Sequence, residues 1–362
     1  MRERNHLRGH WATTLVCVAA LAALLGGAER GMAAAAAPKE EKARQATVRV
    51  TFIDGTQSFP LLVMQTKGIA NKYNLKLEEN KVAGPQGLAT AMQTGNFEVS
   101  FRGWLSTALM RSKGHKAIVV YSLTSYTDDV VARVNSPFKS IADLKGRRIG
   151  ISGGPATESV WLFRLEAVRF FGFDPLKEAK VQFGAAPLLM GLLENNELDA
   201  ILVQNPQVVQ LLETGKFRSI ASLGDIWREK TGQDPLFVSV TMNETWAKAN
   251  PEIAKRFVAA YKEAIEYLKA HPEVWPELAK SLGIKTDEGA RLLHQRTAAG
   301  LLARFDKKFI DEQYRYAAEV IKVFAESEEF PKQIPEGTFD MSYAPWCGGG
   351  GRIHKALQEK RQ

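Results

Sequence analysis

Residues 147–172, RRIGISGGPATESVWLFRLEAVRFFG, decide the fold class. The strand pattern RRIGI passes through a glycine-rich turn into a long apolar helix pattern that Gly172 ends. A strand followed at once by a helix is the repeating unit of a parallel sheet with helices on its faces. This stretch therefore predicts an α/β protein.

The turn itself, GISGG at 150–154, allows two functions. It matches the G-x-S-x-G pattern that presents a nucleophilic serine, here Ser152. It also suits a cradle in which backbone N–H groups and the start of the next helix bind an anion, with Gly153, Gly154 and Thr157 at the rim. The two interpretations predict a hydrolase and a binding protein, respectively.

Strand and helix patterns alternate on both sides of this stretch. The predicted strands are 48–53, 75–80, 97–101, 117–123, 147–151, 180–183, 198–203, 217–223 and 236–244. After the last strand the pattern is wholly helical, at 251–270, 274–282, 287–305 and 309–325.

This order predicts a two-lobe clamshell of the α/β class, with extended crossovers near 124–133 and 234–243. Each lobe is expected to be a mostly parallel sheet with helices on both faces, and the helical C-terminal segment is expected to pack on the first lobe. The predicted parts are a signal peptide and leader at 1–37, lobe 1 at 47–130, lobe 2 at 131–238, the lobe 1 return at 239–345 and a flexible tail at 346–362.

The first 37 residues have the layout of a secretory signal peptide. Arg2, Arg4 and Arg8 precede an apolar stretch at 11–25, and an alanine-rich segment follows it. The apolar stretch is about 15 residues long, shorter than the roughly 20 that a permanent membrane span requires. We therefore expect a cleaved leader and a periplasmic protein. Of its two cysteines only Cys347 would then remain, so that no intramolecular disulfide is expected.

Composition and motifs exclude several other classes. The formal charge is +8, but lysine and arginine alternate with acidic residues and form no basic run with interleaved aromatics, so nucleic acid is not an expected partner. A modest positive charge suits an anionic ligand or serves solubility alone. The chain contains no G-x-x-x-x-G-K-[ST] and no G-x-G-x-x-G motif, and its six histidines show no metal-ligand spacing. We expect no cofactor and no metal.

Five phrases carry a resemblance to a known family. They are FPLLVMQTKGIANKYNLKLE at 59–78, AMQTGNFEVSF at 91–101, SIADLKGRRIGIS at 140–152, FFGFDP at 170–175 and LLENNELDAILVQNP at 192–206. In this order they resemble the substrate-binding proteins of ABC importers in the nitrate, sulfonate and taurine group, which includes proteins similar to thiamine-pyrimidine precursor binders. The resemblance implies a type II periplasmic binding-protein fold, capture of a small molecule between the lobes and delivery to a membrane permease with its cytoplasmic ATPase. It does not identify the ligand.

The candidate ligand-binding residues lie in segments that follow strands, where ligands bind in open α/β sheets. They are Thr56, Gln57, Phe59, Arg102, Trp104, Tyr126, Asp128, Ser152, Gly153, Gly154, Thr157, Ala186 and Asn205. We expect no catalytic and no metal-binding residue.

Two groups among these candidates have a stated chemistry. The Arg102 guanidinium could bind a carboxylate or sulfonate with two parallel hydrogen bonds, or pair with an acid such as Glu98. Phe59, Trp104 and Tyr126 are predicted to lie in loops rather than in the core, which suits an aromatic-walled pocket, although each could pack under its loop.

The acids Asp128 and Asp129 lie in the first crossover. They could hold an amine or remain solvated at a hinge.

These observations favour a monomeric, secreted solute receptor for a small organic anion, sulfonate-like or carboxylate-like, with room for an aromatic part. A serine hydrolase using Ser152 is the alternative, although His271, His294 and His354 lie in the helical tail or near the terminus and follow no strand. A periplasmic sensor subunit that binds the same ligand is a third possibility.

Overall fold

The computed structural model describes residues 45–53, 55–82, 84–325 and 330–345. All of them belong to one compact unit, residues 43–362. The predicted leader at 1–37 and the predicted tail at 346–362 lie outside the described residues.

Ten strands form two five-stranded sheets. The strands are β1 Ala46–Phe52, β2 Leu75–Lys81, β3 Val99–Gly103, β4 Ala117–Ser125, β5 Asp129–Arg133, β6 Arg148–Ser152, β7 Lys180–Gly184, β8 Ala200–Val203, β9 Phe217–Ser222 and β10 Leu236–Asn243. The first sheet has the order β2-β1-β3-β10-β4 and the second has the order β7-β6-β8-β5-β9. We call the first sheet with its covering helices lobe 1 and the second sheet with its helices lobe 2.

Fourteen helices accompany the strands in the described part of the chain. They are α1 Phe59–Thr66, α2 Ile69–Lys72, α3 Gly84–Gln93, α4 Trp104–Ser112, α5 Glu158–Phe171, α6 Pro175–Glu178, α7 Ala186–Glu194, α8 Gln207–Leu212, α9 Leu223–Thr231, α10 Glu244–Ala249, α11 Pro251–Ala270, α12 Trp275–Ser281, α13 Asp287–Gly300 and α14 Lys307–Val323. None of them is long and apolar enough to cross a membrane.

The predicted α/β class and its two mixed sheets are confirmed. In each sheet four strands run in one direction and one runs against them. In lobe 1 this strand is β10, which pairs antiparallel with β3 and β4. In lobe 2 it is β5, which pairs antiparallel with β8 and β9. Each lobe is therefore mostly parallel, as expected.

The first crossover is shorter than predicted. Residues 124 and 125 still belong to β4, and the segment from Asp129 onward is the strand β5, so that the first connection between the sheets consists of residues 126–128. The strand β5 lies between β8 and β9, and Val130, Val131 and Ala132 are fully buried there. A strand buried on both faces shows no alternation of polar and apolar residues, which is why we predicted an extended link instead.

The C-terminal helices do not pack on lobe 1 alone, which corrects the prediction. Helix α11 contacts α1, α2 and β4 of lobe 1, but α13 contacts α8 and α14 contacts α5 in lobe 2. Glu213 of lobe 2 accepts hydrogen bonds from the backbone N–H groups of Lys285 and Thr286, each at 3.1 Å. The helical segment therefore holds both lobes. The division at 47–130, 131–238 and 239–345 into parts that move separately stays a prediction.

Candidate functional site

The two lobes meet where helix α4 of lobe 1 and helix α5 of lobe 2 begin. Glu158, the first residue of α5, extends its carboxylate to the start of α4, where Oε1 accepts a hydrogen bond from the backbone N–H of Ser106 at 2.7 Å. Gly103, which precedes α4, allows this approach, because a Cβ atom there would lie 1.9–2.1 Å from the carboxylate atoms of Glu158. A carboxylate thus occupies the N-terminus of a helix, where unpaired N–H groups and the helix dipole favour negative charge.

A second set of hydrogen bonds holds the link between the sheets to lobe 2. The Ser159 hydroxyl donates to Oδ1 of Asp128, and Gln204 Nε2 donates to the Ser159 hydroxyl at 3.3 Å. Asp129 pairs with Arg296 of α13. Both aspartates are fully buried, so the predicted solvated hinge acids are instead buried groups with specific partners.

Buried aromatic rings surround these polar groups. The hydroxyls of Tyr126 and Tyr316 are 2.9 Å apart, and the Tyr126 ring stacks on Phe237 with centroids 4.6 Å apart. Tyr316 also contacts Trp104 at 6.4 Å and Trp227 at 5.2 Å between ring centroids. The rings exclude water from the junction, which strengthens electrostatic interactions there.

Burial raises the pKa of both carboxyl groups that meet at this junction. The pKa of Glu158 rises to about 7, although the Ser106 hydrogen bonds and the Arg102 charge oppose the rise. The pKa of Asp128 also rises to about 7, opposed by the Ser159 hydrogen bond and assisted by the charge of Asp129. Near neutral pH each group is therefore present in both its neutral and its ionised form.

Burial favours the neutral form of Glu166 and of Arg102 as well. Burial and the charge of Asp128 raise the pKa of Glu166 well above its ordinary value. Burial lowers the pKa of Arg102 to about 10, and the charge of Glu158 opposes this change. At neutral pH Arg102 therefore keeps its positive charge.

Several buried polar atoms around the junction have no hydrogen-bond partner in the described structure. They are Glu158 Oε2, Arg102 Nε, the Nε1 atoms of Trp104 and Trp227, and both amide atoms of Asn205. A buried polar atom without a partner is destabilising by about 1–3 kcal/mol. Such atoms are expected where a polar ligand binds.

Arg102 occupies a different place from the one predicted. Its Nη1 atom lies 3.0 Å from the sulfur of Met92 and 2.7 Å from that of Met110, between helices α3 and α4. The alternative pairing with Glu98 is also wrong, because Glu98 pairs with Arg49 at 3.2 Å. Thioether sulfurs are weak acceptors, so the guanidinium retains hydrogen-bonding capacity. Its charge also interacts with that of Glu158.

The GISGG turn uses part of its hydrogen-bonding capacity internally. The Gly153 N–H donates to the carbonyl of Gly184 at 3.0 Å, and the Thr157 hydroxyl donates to the carbonyl of Gly154 at 3.1 Å. The predicted cradle is therefore wrong for these two groups, which close the turn. Ser152, half-buried at the end of β6, and the rest of the loop remain predicted ligand contacts.

Phe59 and Trp104 belong to helices rather than to loops, and Tyr126 lies in a loop but is buried in the core, which corrects the prediction that all three lie in loops rather than in the core. Phe59 is the first residue of α1 and packs edge-on against Trp275, with centroids 5.7 Å apart. Trp104 is the first residue of α4 and is fully buried, and Tyr126 is 3% exposed. Aromatic residues at helix starts are hard to distinguish from loop residues without the helix boundaries.

The remaining candidates lie at three other points of the fold. Thr56 and Gln57 form a short half-buried 3-10 turn before α1, and the Gln57 carbonyl accepts a hydrogen bond from Tyr261. Ala186 begins α7 and packs against a separate apolar cluster of lobe 2. Asn205 is buried one residue beyond Gln204. Thus the junction contains Trp104, Tyr126 and Asp128 from the predicted set, and the charge of Arg102 acts on it through Glu158.

Sequence reasoning missed Glu158, Glu166, Trp227 and Tyr316. Glu158 and Glu166 carried a usable signal, because each is an acid in an otherwise small or apolar segment, TESV and RLEAV. Trp227 and Tyr316 carried none, since they lie on helices α9 and α14, which are distant in sequence from the predicted loops. In the described residues no group of three or more His, Cys, Asp or Glu side chains could hold a metal ion.

Two cavities are lined by residues other than those of this junction. One of about 570 Å³ lies between the C-terminal ends of α3 and α4 and the start of α10, lined by Met92, His115 and Trp246 among others. Another of about 210 Å³ lies beside Pro155 and is mostly apolar, with Trp161 in its wall. The larger cavity contains none of the predicted site residues, so volume does not indicate the site here.

Substitutions in the GISGG turn separate its structural role from a nucleophilic one. We expect Ser152→Ala to leave the melting temperature nearly unchanged. We also expect that no hydrolysis of esters or amides depends on Ser152. Gly153→Ala should destabilise the fold by about 1–2 kcal/mol, because φ at this residue is +93° and a Cβ would lie 3.1 Å from Thr157 Cγ2. Urea denaturation measures the stability of each variant, and an esterase assay measures its hydrolysis of esters. Ester hydrolysis that disappears in Ser152→Ala would favour the hydrolase.

Comparison with known proteins identifies the family. The family model described as NMT1/THI5 like matches residues 55–274, which is more than half of the chain. The chain belongs to the NMT1/THI5-like family. Curated relatives of this NMT1/THI5-like protein include a protein of Brucella abortus named as a binding protein, 26% identical over 58% of this chain and 63% of the relative. The chain thus spans somewhat less than two thirds of that relative's length.

Other relatives have a different activity in their names. The 4-amino-5-hydroxymethyl-2-methylpyrimidine phosphate synthase THI5 of Saccharomyces cerevisiae is 23% identical over 64% of this chain and 70% of its own. The solved structures that resemble this NMT1/THI5-like protein include the periplasmic aliphatic sulphonate binding protein SsuA of Escherichia coli, with a TM-score of 0.65, 17% identity and coverage of 81% of this chain and 96% of that one. SsuA of Xanthomonas axonopodis pv. citri, bound to MOPS, has a TM-score of 0.63 and 16% identity, and the match covers 81% and 96% of the two chains. These structures show that the chain has the fold of periplasmic solute-binding proteins.

Proposed function

We propose that this protein is the solute receptor of an ABC importer, which captures a small organic anion between its lobes and delivers it to a membrane permease. The observation that carries the proposal is the carboxylate of Glu158 at the N-terminus of α4, where the positive charge of Arg102 also acts on it. An anionic oxygen thus fits at the point where the lobes meet. The fold and the family support a receptor, and this contact supports the charge of its ligand.

Lobe 1 offers an anion two kinds of donor at this point. Helix α4 has nine residues, so its first N–H groups and its dipole favour a negative charge. The Arg102 guanidinium adds a positive charge, and its Nε has no hydrogen-bond partner in the described structure. Charge-assisted hydrogen bonds of this kind are roughly twice as strong as neutral ones.

The carboxyl groups of Glu158 and Asp128 repel an anion less at slightly acidic pH than at higher pH. Burial raises the pKa of Glu158 and of Asp128 to about 7, so both carry a proton in a large fraction of molecules below that pH. A neutral carboxyl group can donate a hydrogen bond to an anion. We therefore expect anion binding to be favoured below pH 7.

The names of the relatives are consistent with an anionic ligand. SsuA is named for sulfonates, and one SsuA structure holds MOPS, which is itself a sulfonate. The yeast relatives are named for a pyrimidine phosphate. The buried Trp104 and Tyr126 beside the junction could contact an aromatic part of such a molecule. We propose a sulfonate, a carboxylate or a heteroaromatic phosphate.

We propose binding without chemistry. A serine hydrolase would need a histidine that activates Ser152. His271 instead pairs with Glu273 at 2.7 Å, and the His294 ring lies 5.0 Å from the ring of Trp275. Both histidines belong to the C-terminal helical segment. These partners favour a receptor over the hydrolase.

A thermal-shift screen tests the proposed ligand class. The compounds are 1-butanesulfonate, MOPS, nitrate, benzoate and 4-amino-5-hydroxymethyl-2-methylpyrimidine phosphate, with glucose and spermidine as neutral and cationic controls. A ligand at about 100 times its Kd stabilises the folded state by roughly 2.7 kcal/mol, which gives a clear rise in melting temperature. We expect a rise with at least one anion and none with the controls. A rise with the controls alone would contradict an anionic ligand.

The periplasmic location and the permease belong to the same proposal. N-terminal sequencing of protein from the periplasmic fraction should give a start between Glu29 and Ala37. Intact protein that begins at Met1 in the cytoplasmic fraction would contradict it. Capture of the permease complex, rather than of a membrane kinase, distinguishes an importer from a sensor.

A further inference from the structure

We infer that Glu158 is an internal competitor of the ligand, because its carboxylate occupies the place at the start of α4 that the ligand's anionic group would take. This inference rests on the proposed function, since it concerns the same anion site. Glu158 thereby controls the pH at which the site is open and the charge of the ligand that the site accepts.

The geometry allows only one anionic group at this place. The Glu158 carboxylate fills the space over Gly103, where three of its atoms would lie within 2.1 Å of a Cβ. Oε1 takes the Ser106 N–H, which is the amide in the third position of α4. A second anion could reach neither this amide nor the space over Gly103 until Glu158 leaves, and two adjacent negative charges would repel each other.

The groups that face Glu158 come from several elements. Arg102 of β3 attracts its charge, whereas Asp128 of the link between the sheets repels it. The hydroxyls of Tyr126 and of Tyr316 from α14 also lie close enough to interact with it. A single attracting cation and one hydrogen-bonded oxygen hold the carboxylate, while its Oε2 has no partner in the described structure. An incoming sulfonate with three oxygens could therefore replace it.

Calorimetric titration of the whole protein with 1-butanesulfonate and with inorganic sulfate tests the inference. We expect Glu158→Gln to bind these anions about three- to tenfold more tightly than the wild type, because the neutral amide is held less strongly at the Ser106 N–H, leaves more easily and does not repel the anion. Glu252→Gln is the matched control, since it removes the same charge from an exposed side chain on α11 and should leave the affinity unchanged. Equal or weaker binding by Glu158→Gln, with normal binding by the wild type, would overturn the inference and leave the proposed function intact.

The pH dependence of the same titration provides a second measurement that does not depend on a variant. Sulfonates stay ionised between pH 6 and 8, so any change in affinity comes from the protein. We expect the wild type to bind 1-butanesulfonate several-fold more tightly at pH 6 than at pH 8, and Glu158→Gln to show a smaller change, with the remainder due to Asp128. Affinity that is independent of pH in the wild type would overturn the inference. If neither protein binds an anion at any pH, the proposed anionic ligand fails together with it.

Discussion

Gly103→Ala should lower the affinity for the anionic ligand by about 10- to 100-fold. The new methyl group would lie 1.9–2.1 Å from the position of a carboxylate at the start of α4, so neither Glu158 nor a ligand could reach the Ser106 N–H. Loss of a hydrogen bond to a charged group corresponds to about 1.5–3 kcal/mol, which gives this range. Calorimetric titration with the anions that stabilise the wild type measures the change.

The fold itself should tolerate this substitution. Gly103 has φ −57° and ψ 133°, which any residue can adopt, so the methyl group introduces no backbone strain. Gly191→Ala is the matched control, because a Cβ at this position in α7 of lobe 2 would have no atom within 4 Å. We expect it to bind as the wild type does. Normal affinity in Gly103→Ala would place the ligand elsewhere in the molecule.

The succession of strands along the chain could be predicted because local sequence patterns determine it. Each predicted strand from 48–53 to 236–244 overlaps an observed strand, and the helix at Pro251–Ala270 has the predicted bounds. The strand β5 was missed because DVVA is buried on both faces and shows no alternation. The attachment of α13 and α14 to lobe 2 could not be predicted, since it depends on contacts that connect distant segments, such as that of Glu213 with Thr286, the N-cap residue of α13.

The site could be predicted only in part, because side-chain direction is a tertiary property. The loops at the carboxyl ends of strands indicated Tyr126 and Asp128, which lie at the junction, and their role as ligand contacts stays a prediction, as does that of the GISGG turn. They did not indicate that Arg102 lies between Met92 and Met110. Nor could they indicate that Glu158 crosses to the other lobe, because nothing in the sequence relates it to Ser106, which lies 52 residues earlier.

The stability of the protein should fall as the pH rises from 5 to 8. Burial raises the pKa of Glu158 and of Asp128 from below 5 to about 7. Between these values the folded state holds protons that the unfolded state has released, so raising the pH favours unfolding. Above about pH 7 both groups are ionised in both states, and their contribution no longer changes. Carboxyl groups with lowered pKa, such as Asp199, act only below this window.

The double variant Glu158→Gln/Asp128→Asn isolates this effect. One pKa unit corresponds to 1.36 kcal/mol, so the wild type should lose roughly 2–5 kcal/mol more than the variant between pH 5 and 8. Urea denaturation at four pH values measures the free energy of unfolding. The values can be compared if this free energy falls equally steeply with urea concentration at each pH. A fall of stability with pH that the variant retains would come from Glu166 and Asp129, whose pKa values burial also raises. Wild-type stability that stays level or increases over this range would mean that Glu158 and Asp128 are ionised and solvated in the folded protein. In that case the Glu158 carboxylate would not lie buried at the start of α4, and the contact between the lobes through the Ser106 N–H would be absent.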